Sequence, residues 1–276
     1  MFWLFLCEHA LKTVKPLPDG VDVPPWIADK KIGDYRLLAS IGKGGFGEVF
    51  LAENRDGNRK AVKIFTPKRK GPVAFNLEYD GMRMAEFAGV HQNLVPIESV
   101  GRTEHCVYYT MPLADSLREA EYIPATLHNV LTDRKTMDEE ELAQMALDIL
   151  DALAYLHRKQ LIHRDVKLDN ILRFGNVWKL GDPGLLSPRR QKKSAGTPGF
   201  FINLKSHRTD ESDDLYALGK VLYCACTGMG PEHYPLVPIP YNYDRYARLR
   251  SVYRLAVGQK IATAEEFSKK LKAAVS

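Results

Sequence analysis

The feature that most restricts the fold of this chain is a set of polar residues in the segment 162–172, Ile-His-Arg-Asp-Val-Lys-Leu-Asp-Asn-Ile-Leu. Asp165 and Lys167 stand close together, so a carboxylate and an ammonium can meet a hydroxyl and a phosphate together. Asn170 and Asp182 supply hard oxygen ligands of the kind that Mg²⁺ prefers. A chance match to this order is improbable. These groups suit phosphoryl transfer, in which positioning and charge neutralisation are most of the task.

A glycine-rich turn lies earlier in the chain, where Gly42, Gly44 and Gly47 follow the spacing Gly-x-Gly-x-x-Gly. Here the turn joins two predicted strands rather than a strand and a helix, which argues against a dinucleotide-binding fold and favours a flap over phosphates. Glycine lets backbone amides approach an anion without a Cβ in the way. A plain hairpin turn is the alternative that this pattern leaves open.

The next predicted strand carries Lys63 within the run Ala61-Val62-Lys63-Ile64. A lysine buried in such a strand needs an anionic partner, which phosphates and a glutamate of the following helix would supply. The alternation of side chains along a strand equally permits a lysine that faces solvent. This pattern therefore leaves both orientations open.

Hydrophobic periodicity and turn signals predict an α+β fold, with an antiparallel five-stranded sheet and one helix followed by a mainly helical region. The predicted strands are 35–41, 48–53, 59–65, 94–100 and 106–111. The predicted helices are 73–88, 138–159, 213–228 and 263–275.

Composition excludes few classes. The length of 276 residues suffices for two lobes, and the net charge of +5 is too mild to indicate a polyanionic partner. The four cysteines form no CxxC pair and no zinc-type spacing, which favours free thiols in a reducing cytosol. The apolar residues 1–7 are too short for a signal-peptide core or a membrane span, so we expect a cytoplasmic protein without one.

From about Tyr35 to Leu271 the chain resembles the eukaryotic-like protein kinases, and in detail the bacterial Ser/Thr branch, on the motifs quoted above. The resemblance implies a bilobal protein-kinase fold over 34–275, after an N-terminal extension of residues 1–33. The N-lobe would be 34–111, the hinge 112–115 and the C-lobe 116–275. The implied activity is transfer of the γ-phosphoryl group of Mg-ATP to a protein Ser or Thr hydroxyl, with no nucleic-acid partner.

The resemblance also implies how ATP is held. Lys63 would bind the α- and β-phosphates and pair with Glu78, for which Asp80 and Glu86 are alternatives. Met111 would be the gatekeeper, and adenine would meet the carbonyl of Pro112 and the N–H of Ala114. The residues implied to contact ATP are Ile41, Gly42, Gly44, Gly47, Val49, Ala61, Lys63, Met111, Pro112, Ala114 and Leu172.

For catalysis, the resemblance assigns Asp165 to orient and deprotonate the substrate hydroxyl and Lys167 to meet the γ-phosphate. Asn170 and Asp182 would hold Mg²⁺. Lys167 followed later by Gly196-Thr197 is the Ser/Thr-kinase pattern rather than the tyrosine-kinase one.

The chain departs from the family pattern in two places. Pro183 replaces the usual Phe after the metal-binding Asp, which predicts a looser hydrophobic column among Met82, Ile97 and His163. Leu204 and Lys260 occupy the slots of a glutamate–arginine pair. Replacing both partners of a buried pair need not be costly, whereas losing one would strand a charge. Glu211 is an alternative partner in that region.

The segment after Asp182 is short and basic, with Arg189, Arg190, Lys192 and Lys193. One interpretation is an activation loop in which Arg164 receives a phosphate on Ser194 or Ser187. The alternatives are a solvated loop that needs no phosphorylation, or a preference for acidic substrates. Two other functions remain open, a pseudokinase that binds nucleotide or a partner without turnover and a small-molecule phosphotransferase.

Overall fold

The structure is a computed structural model that describes residues 30–44, 47–65, 79–103, 106–134, 137–191, 197–202, 208–237 and 245–276. The chain divides into two compact units. The first contains the described residues up to 79 together with 96–125, and the second contains 80–95 and 126–276.

The first unit is built on an antiparallel sheet. Its strands are β1 (Lys31–Ile32), β2 (Tyr35–Lys43), β3 (Glu48–Glu53), β4 (Arg59–Phe65), β5 (Ser99–Arg102) and β6 (Val107–Met111). Among the described residues, these six strands pair in the order β1-β2-β3-β4-β6-β5. The antiparallel sheet was correctly predicted, but the count of five strands was wrong, because β1 from the predicted extension pairs with β2.

The prediction of a strand over 94–100 was also wrong, since β5 begins only at Ser99. Pro96 lacks a backbone N–H and therefore weakens a sheet strand at this point. The residues before it bond elsewhere. Val95 donates its N–H to the carbonyl of Leu180 at 2.9 Å, and the N–H of Leu180 donates to the carbonyl of Asn93 at 2.8 Å. Residues 93–95 thus belong to the second unit.

The second unit is mainly helical. Its helices are α1 (described over 79–88), α2 (Leu127–Arg134), α3 (Glu139–Arg158), α4 (Glu211–Thr227), α5 (Ala247–Val257) and α6 (Ala264–Val275). In the described part of this unit, four short strands accompany them, β7 (Leu161–Ile162), β8 (Ile171–Phe174), β9 (Val177–Leu180) and β10 (Ser187–Pro188). The predicted helices 138–159, 213–228 and 263–275 were correct to within two residues, whereas α2 and α5 were not individually predicted.

Helix α4 forms the centre of this unit, because fourteen of its residues are buried. It begins at a capping box, in which the Asp210 side chain accepts from the backbone and Asp213 reaches back to the Asp210 N–H. The described cysteines, Cys106, Cys224 and Cys226, are buried free thiols, as expected. Within the described ranges, no helix is long and apolar enough to cross a membrane.

Candidate active site

The hairpin of β8 and β9 brings the two predicted metal ligands to one end. Ile171 pairs with Leu180, and the Gly181 N–H donates to the carbonyl of Asn170 at 2.8 Å. Asn170 precedes this pairing and Asp182 follows it, so the register places both residues at the same end of the hairpin. Asp182 adopts a left-handed conformation with φ of 57°, which is uncommon outside glycine and is typical of functional sites.

The side chain of Asn170 is oriented by the loop of residues 163–167, the predicted catalytic loop. Its Nδ2 donates to the backbone carbonyl of Asp165 at 2.8 Å and to Asp165 Oδ2 at 2.9 Å. Both amide N–H groups are thereby directed to Asp165, which leaves the amide oxygen as the atom that a cation would meet. An amide oxygen and the carboxylate of Asp182 are suitable ligands for Mg²⁺, so the residues fit the metal that the sequence implies.

The carboxylate of Asp165 is held by two further side chains. Lys167 Nζ lies 2.7 Å from Asp165 Oδ2, and the hydroxyl of Thr197 donates to Asp165 Oδ1 at 2.6 Å. Lys167 Nζ also donates to Thr197 Oγ1 at 3.2 Å, which closes a three-membered network. Sequence reasoning noted Thr197 only as part of a motif and did not place it in the site.

Asp214, at the start of α4, binds the backbone of the predicted catalytic loop. This fully buried carboxylate accepts from the backbone N–H groups of His163 at 2.9 Å and Arg164 at 2.8 Å. It also contacts His157 Nε2 at 2.9 Å. Burial alone would raise the pKa of Asp214, but the bonds and charge of His157, with the Arg164 N–H, hold that pKa below its usual range. Asp214 was not singled out from the sequence, because nothing in the local pattern of a helix start shows which distant backbone its carboxylate contacts.

His163 links the predicted catalytic loop to the end of β9, next to the predicted metal ligand Asp182. Its Nε2 bonds to the carbonyl of Gly181 at 3.1 Å, so this nitrogen is the protonated one, and its Nδ1 accepts from the Asp165 N–H at 3.4 Å. The ring therefore binds as a neutral imidazole. Complete burial lowers the pKa of His163, against the opposing charges of Asp214, Asp165 and Asp182.

Helix α1 approaches the Pro183 segment closely. A Cβ on Gly81 would lie 2.3 Å from the carbonyl oxygen of Pro183 and 2.7 Å from that of Gly184, closer than packed atoms allow. The neighbouring Met82 is buried at 1% exposure. Pro183 itself begins a 3-10 turn, where a missing N–H and a fixed φ are well tolerated. Pro183, which is smaller than the usual Phe, is thus approached by α1 at Gly81, a residue that has no side chain.

After the 3-10 turn, the segment that follows the predicted metal ligand Asp182 continues as β10, in which Ser187 pairs with Ile162 of β7. Ser187 is buried, and Arg164 Nη1 donates to its hydroxyl at 3.2 Å. A buried hydroxyl is a poor acceptor of phosphate, so this conformation disfavours Ser187 as a phosphorylation site. Ser194, like Leu204, lies outside the described residues. Glu211 forms an ion pair with Arg189 at 3.1 Å.

In the first unit, the glycine-rich turn closes the β2–β3 hairpin, where Gly42 pairs with Val49. The Gly44 N–H donates to the carbonyl of Gly47 at 2.9 Å. A Cβ on Gly47 would lie 2.6 Å from the carbonyl oxygen of Ile64, so this position has no room for a side chain. The hairpin position agrees with a strand–turn–strand glycine motif.

Lys63 is buried at 4% exposure, which excludes the solvent-facing alternative. It pairs with Val49 on one side and with Tyr109 on the other, and its Nζ lies 5.9 Å from the centre of the Tyr109 ring. Its proposed partner Glu78 lies outside the described residues. Both alternatives to Glu78 are exposed, and Glu86 lies 3.9 Å from Arg83.

The predicted adenine-contacting residues of this unit lie along the same sheet. Ala61 pairs with Met111 across β4 and β6, and Ile41 lies half-buried in β2. Pro112 follows β6 directly, and Ala114 is buried. In the second unit, Leu172 lies half-buried in β8.

Comparison with known proteins agrees with this geometry. A family model described as "Protein kinase domain" matches residues 35–275. The chain belongs to this protein kinase family.

Individual relatives are distant. A probable myosin light chain kinase of Dictyostelium discoideum is 27% identical over 72% of this chain and 65% of its own length. The serine/threonine-protein kinase PknD of Chlamydia trachomatis is 28% identical over 68% of this chain, which spans only 24% of that protein. The Aurora/IPL1-related protein kinase 2 of Caenorhabditis elegans is 29% identical over 79% of this chain and 72% of its own length. The chain thus spans between 24% and 72% of the length of these three relatives.

Proposed function

We propose that this chain is an ATP-dependent protein serine/threonine kinase of bacterial type. The observation that carries the proposal is the closed network of Asp165, Lys167 and Thr197, with Asn170 bonded to the same carboxylate. A carboxylate held on both oxygens by charged and polar donors has a fixed direction, which is what a base that receives one hydroxyl proton requires.

In this mechanism Asp165 orients the Ser or Thr hydroxyl of the substrate and accepts its proton as the oxygen attacks the γ-phosphorus. The bond between the γ-phosphorus and the bridging oxygen of the β-phosphate breaks, and ADP leaves. Lys167, 2.7 Å from Asp165, neutralises charge that develops on the transferred phosphoryl group. Asn170 and Asp182 would hold Mg²⁺, which supplies charge neutralisation on the phosphate oxygens when bound. Asp214 keeps the loop in place through the His163 and Arg164 N–H groups.

For the nucleotide, we propose that Lys63 holds the α- and β-phosphates and pairs with Glu78. Gly42, Gly44 and Gly47 would cover the phosphates, while adenine meets the Pro112 carbonyl and the Ala114 N–H. The remaining proposed contacts are Ile41, Val49, Ala61, Met111 and Leu172. Burial of Lys63 supports this assignment, because a buried ammonium requires anionic partners.

We also propose a cytoplasmic location, since buried free thiols persist in a reducing compartment. Ser194 remains the proposed site of autophosphorylation, because Ser187 is enclosed. The second candidate function is a pseudokinase, which the departure at Pro183 favours. The retention of Lys63, Asp165, Asn170 and Asp182 opposes it.

The test is transfer of label from γ-labelled Mg-ATP to the protein itself and to a generic basic protein. Wild type is compared with Asp165→Asn and Asp182→Asn, which remove the base and a metal ligand. Incorporation by wild type that both variants lose supports the kinase, and mapping the label tests Ser194 against Ser187. No incorporation, with ATP still raising the melting temperature, supports the pseudokinase. The absence of any thermal shift would contradict the nucleotide site.

A further inference from the structure

The segment that follows the proposed adenine-binding residues folds back on them. The Asp115 carbonyl accepts from the Ala125 N–H at 2.8 Å, and the Ile123 carbonyl accepts from the Leu117 N–H at 2.9 Å. An isolated bridge joins Ser116 and Pro124 between these bonds. The segment 115–125, which we call the return hairpin, is therefore a short antiparallel pair.

The side chain of Ser116 closes the tip of the return hairpin. Its hydroxyl donates to the carbonyl of Arg118 at 2.7 Å and accepts from the N–H of Ile123 at 3.2 Å. These bonds fix the path of the chain through the turn. The return hairpin brings Tyr122 back to Ala114, although eight residues separate them along the chain.

The hydroxyl of Tyr122 donates to the backbone carbonyl of Ala114 at 3.0 Å. A carbonyl can only accept, so the direction of this bond is certain. Burial, together with the charge of Asp115, raises the pKa of Tyr122, so the phenol keeps its proton at neutral pH. Tyr122 therefore occupies an acceptor site on the residue whose N–H is proposed to bind adenine.

The hydrogen-bonding groups of Ala114 can be compared with the edge of a purine ring that would face them. In an extended chain the N–H and C=O of one residue point to the same side, as in a hydrogen-bonded pair of an antiparallel sheet. A ligand that accepts from the Ala114 N–H therefore meets the Ala114 carbonyl next. Around a purine, the 6-amino group, N1 and C2 follow one another. Adenine has only a C–H at C2 and needs no acceptor there, whereas a 2-amino group needs one.

We propose that Tyr122 is a specificity-determining residue of the nucleotide site, which takes up one acceptor site of the Ala114 carbonyl and so disfavours purines with an amino group at C2. The ligand class selected is the adenine nucleotide, and the class rejected is the 2-aminopurine nucleotide. This inference rests on the proposed function, because it takes the Ala114 N–H as the donor to N1. A 2-amino group would have to share a carbonyl oxygen that already accepts from Tyr122, so its hydrogen bond is weakened and affinity is lost, which is how the site would discriminate.

The test uses the full chain and two ligands, ATP and the triphosphate of 2,6-diaminopurine riboside (2-amino-ATP), with dissociation constants from titration calorimetry. The variant Tyr122→Phe removes only the hydroxyl. The matched control is Tyr155→Phe, because Tyr155 likewise donates to a backbone carbonyl, that of Ala88, at 2.5 Å. Wild type should bind ATP more tightly than 2-amino-ATP. In Tyr122→Phe this preference should shrink by about three- to tenfold, the weight of one neutral hydrogen bond, and in Tyr155→Phe it should not change.

The same measurements can overturn the inference. An unchanged preference in Tyr122→Phe, or an equal loss in Tyr155→Phe, would overturn the role of Tyr122 while leaving the nucleotide site intact. If Tyr122→Phe does not fold, wild type alone decides, because binding of 2-amino-ATP as tight as that of ATP excludes the proposal. A wild type that binds neither nucleotide overturns the proposed function together with this inference.

Discussion

The hydroxyl of Thr197 lies 2.6 Å from Oδ1 of Asp165 and 3.2 Å from Nζ of Lys167, so that one neutral side chain joins the proposed base to the proposed phosphate-binding lysine. Since Thr197 follows Lys167 by thirty residues, the bond also joins the end of the segment 183–197 to the predicted catalytic loop. This relationship yields the sharpest prediction about activity.

Thr197→Val keeps the shape of the side chain and removes its hydroxyl. We expect phosphoryl transfer to fall by about ten- to hundredfold, because a hydrogen bond to a charged group contributes about 1.5–3 kcal/mol. The dissociation constant of ATP should stay near that of wild type. Thr197→Ser, which retains the hydroxyl, is the control and should keep most of the activity. A fully active Thr197→Val would show that Lys167 and Asn170 suffice to orient Asp165.

Gly81→Ala tests the close approach of α1 to the Pro183 segment. The added Cβ would collide with two backbone carbonyl oxygens, which cannot move away as a flexible side chain would. Overpacking of this kind costs about 1–3 kcal/mol, although alanine is the better helix former. Urea unfolding measures the difference. Glu86→Ala, on the exposed side of the same helix, should leave stability nearly unchanged, and equal effects of the two substitutions would contradict the packing argument.

Asp214→Asn tests the support of the catalytic loop. The amide has one acceptor where the carboxylate has two, so a buried N–H of His163 or Arg164 loses its partner. We expect a loss of about 2–4 kcal/mol in the free energy of unfolding. Asp151→Asn is the matched control, because the Asp151 carboxylate is half-exposed and accepts no backbone N–H of the loop, its contacts being Gln92 Nε2 at 3.2 Å and His91 Nε2 at 3.5 Å. Similar losses of unfolding free energy in both variants would show that the bonds of Asp214 to the loop add no stability beyond that of an exposed carboxylate.

The depressed pKa of Asp214 also predicts a pH dependence. In the unfolded chain this carboxyl takes up a proton near the ordinary aspartate pKa of 3.8, whereas the folded protein resists protonation. Stability from Asp214 is therefore complete above that value and is lost as the pH falls below it toward the folded pKa. Unfolding free energies measured from pH 6 down to pH 3 should decline more steeply for wild type than for Asp214→Asn. Parallel declines would rule out this linkage.

The sequence was sufficient where a local pattern carries the information. Strands β3 and β4 were predicted with the observed bounds, because alternation and the Asp-Gly turn at 56–57 act over a few residues. The prediction of a strand over 94–100 was wrong, because the apolar residues there before Pro96 pack and bond within the second unit and not in the sheet. Val95 bonds to Leu180 of the second unit, and Pro96 has no N–H to offer a sheet.

The residues of the proposed site differ in the same way, since some are close along the sequence and one is placed by the fold. Asp165, Lys167 and Asn170 lie within six residues, so the order of residue types alone brought them together. The assignment of Asp182 rested on its short distance along the chain, and the hairpin register supplies the geometry.

What the sequence by itself determined was the family and the local chemistry of the catalytic loop, since both are written in consecutive residues. Only the tertiary structure decided that Thr197 bonds to Asp165, that Gly81 touches Pro183, and that Tyr122 occupies the Ala114 carbonyl. Each of these contacts joins residues that are separated along the chain and are brought together by folding. A hydrogen bond or a close approach requires positions fixed to a fraction of an ångström, and that precision comes from the packing of whole elements rather than from the pattern of any one of them.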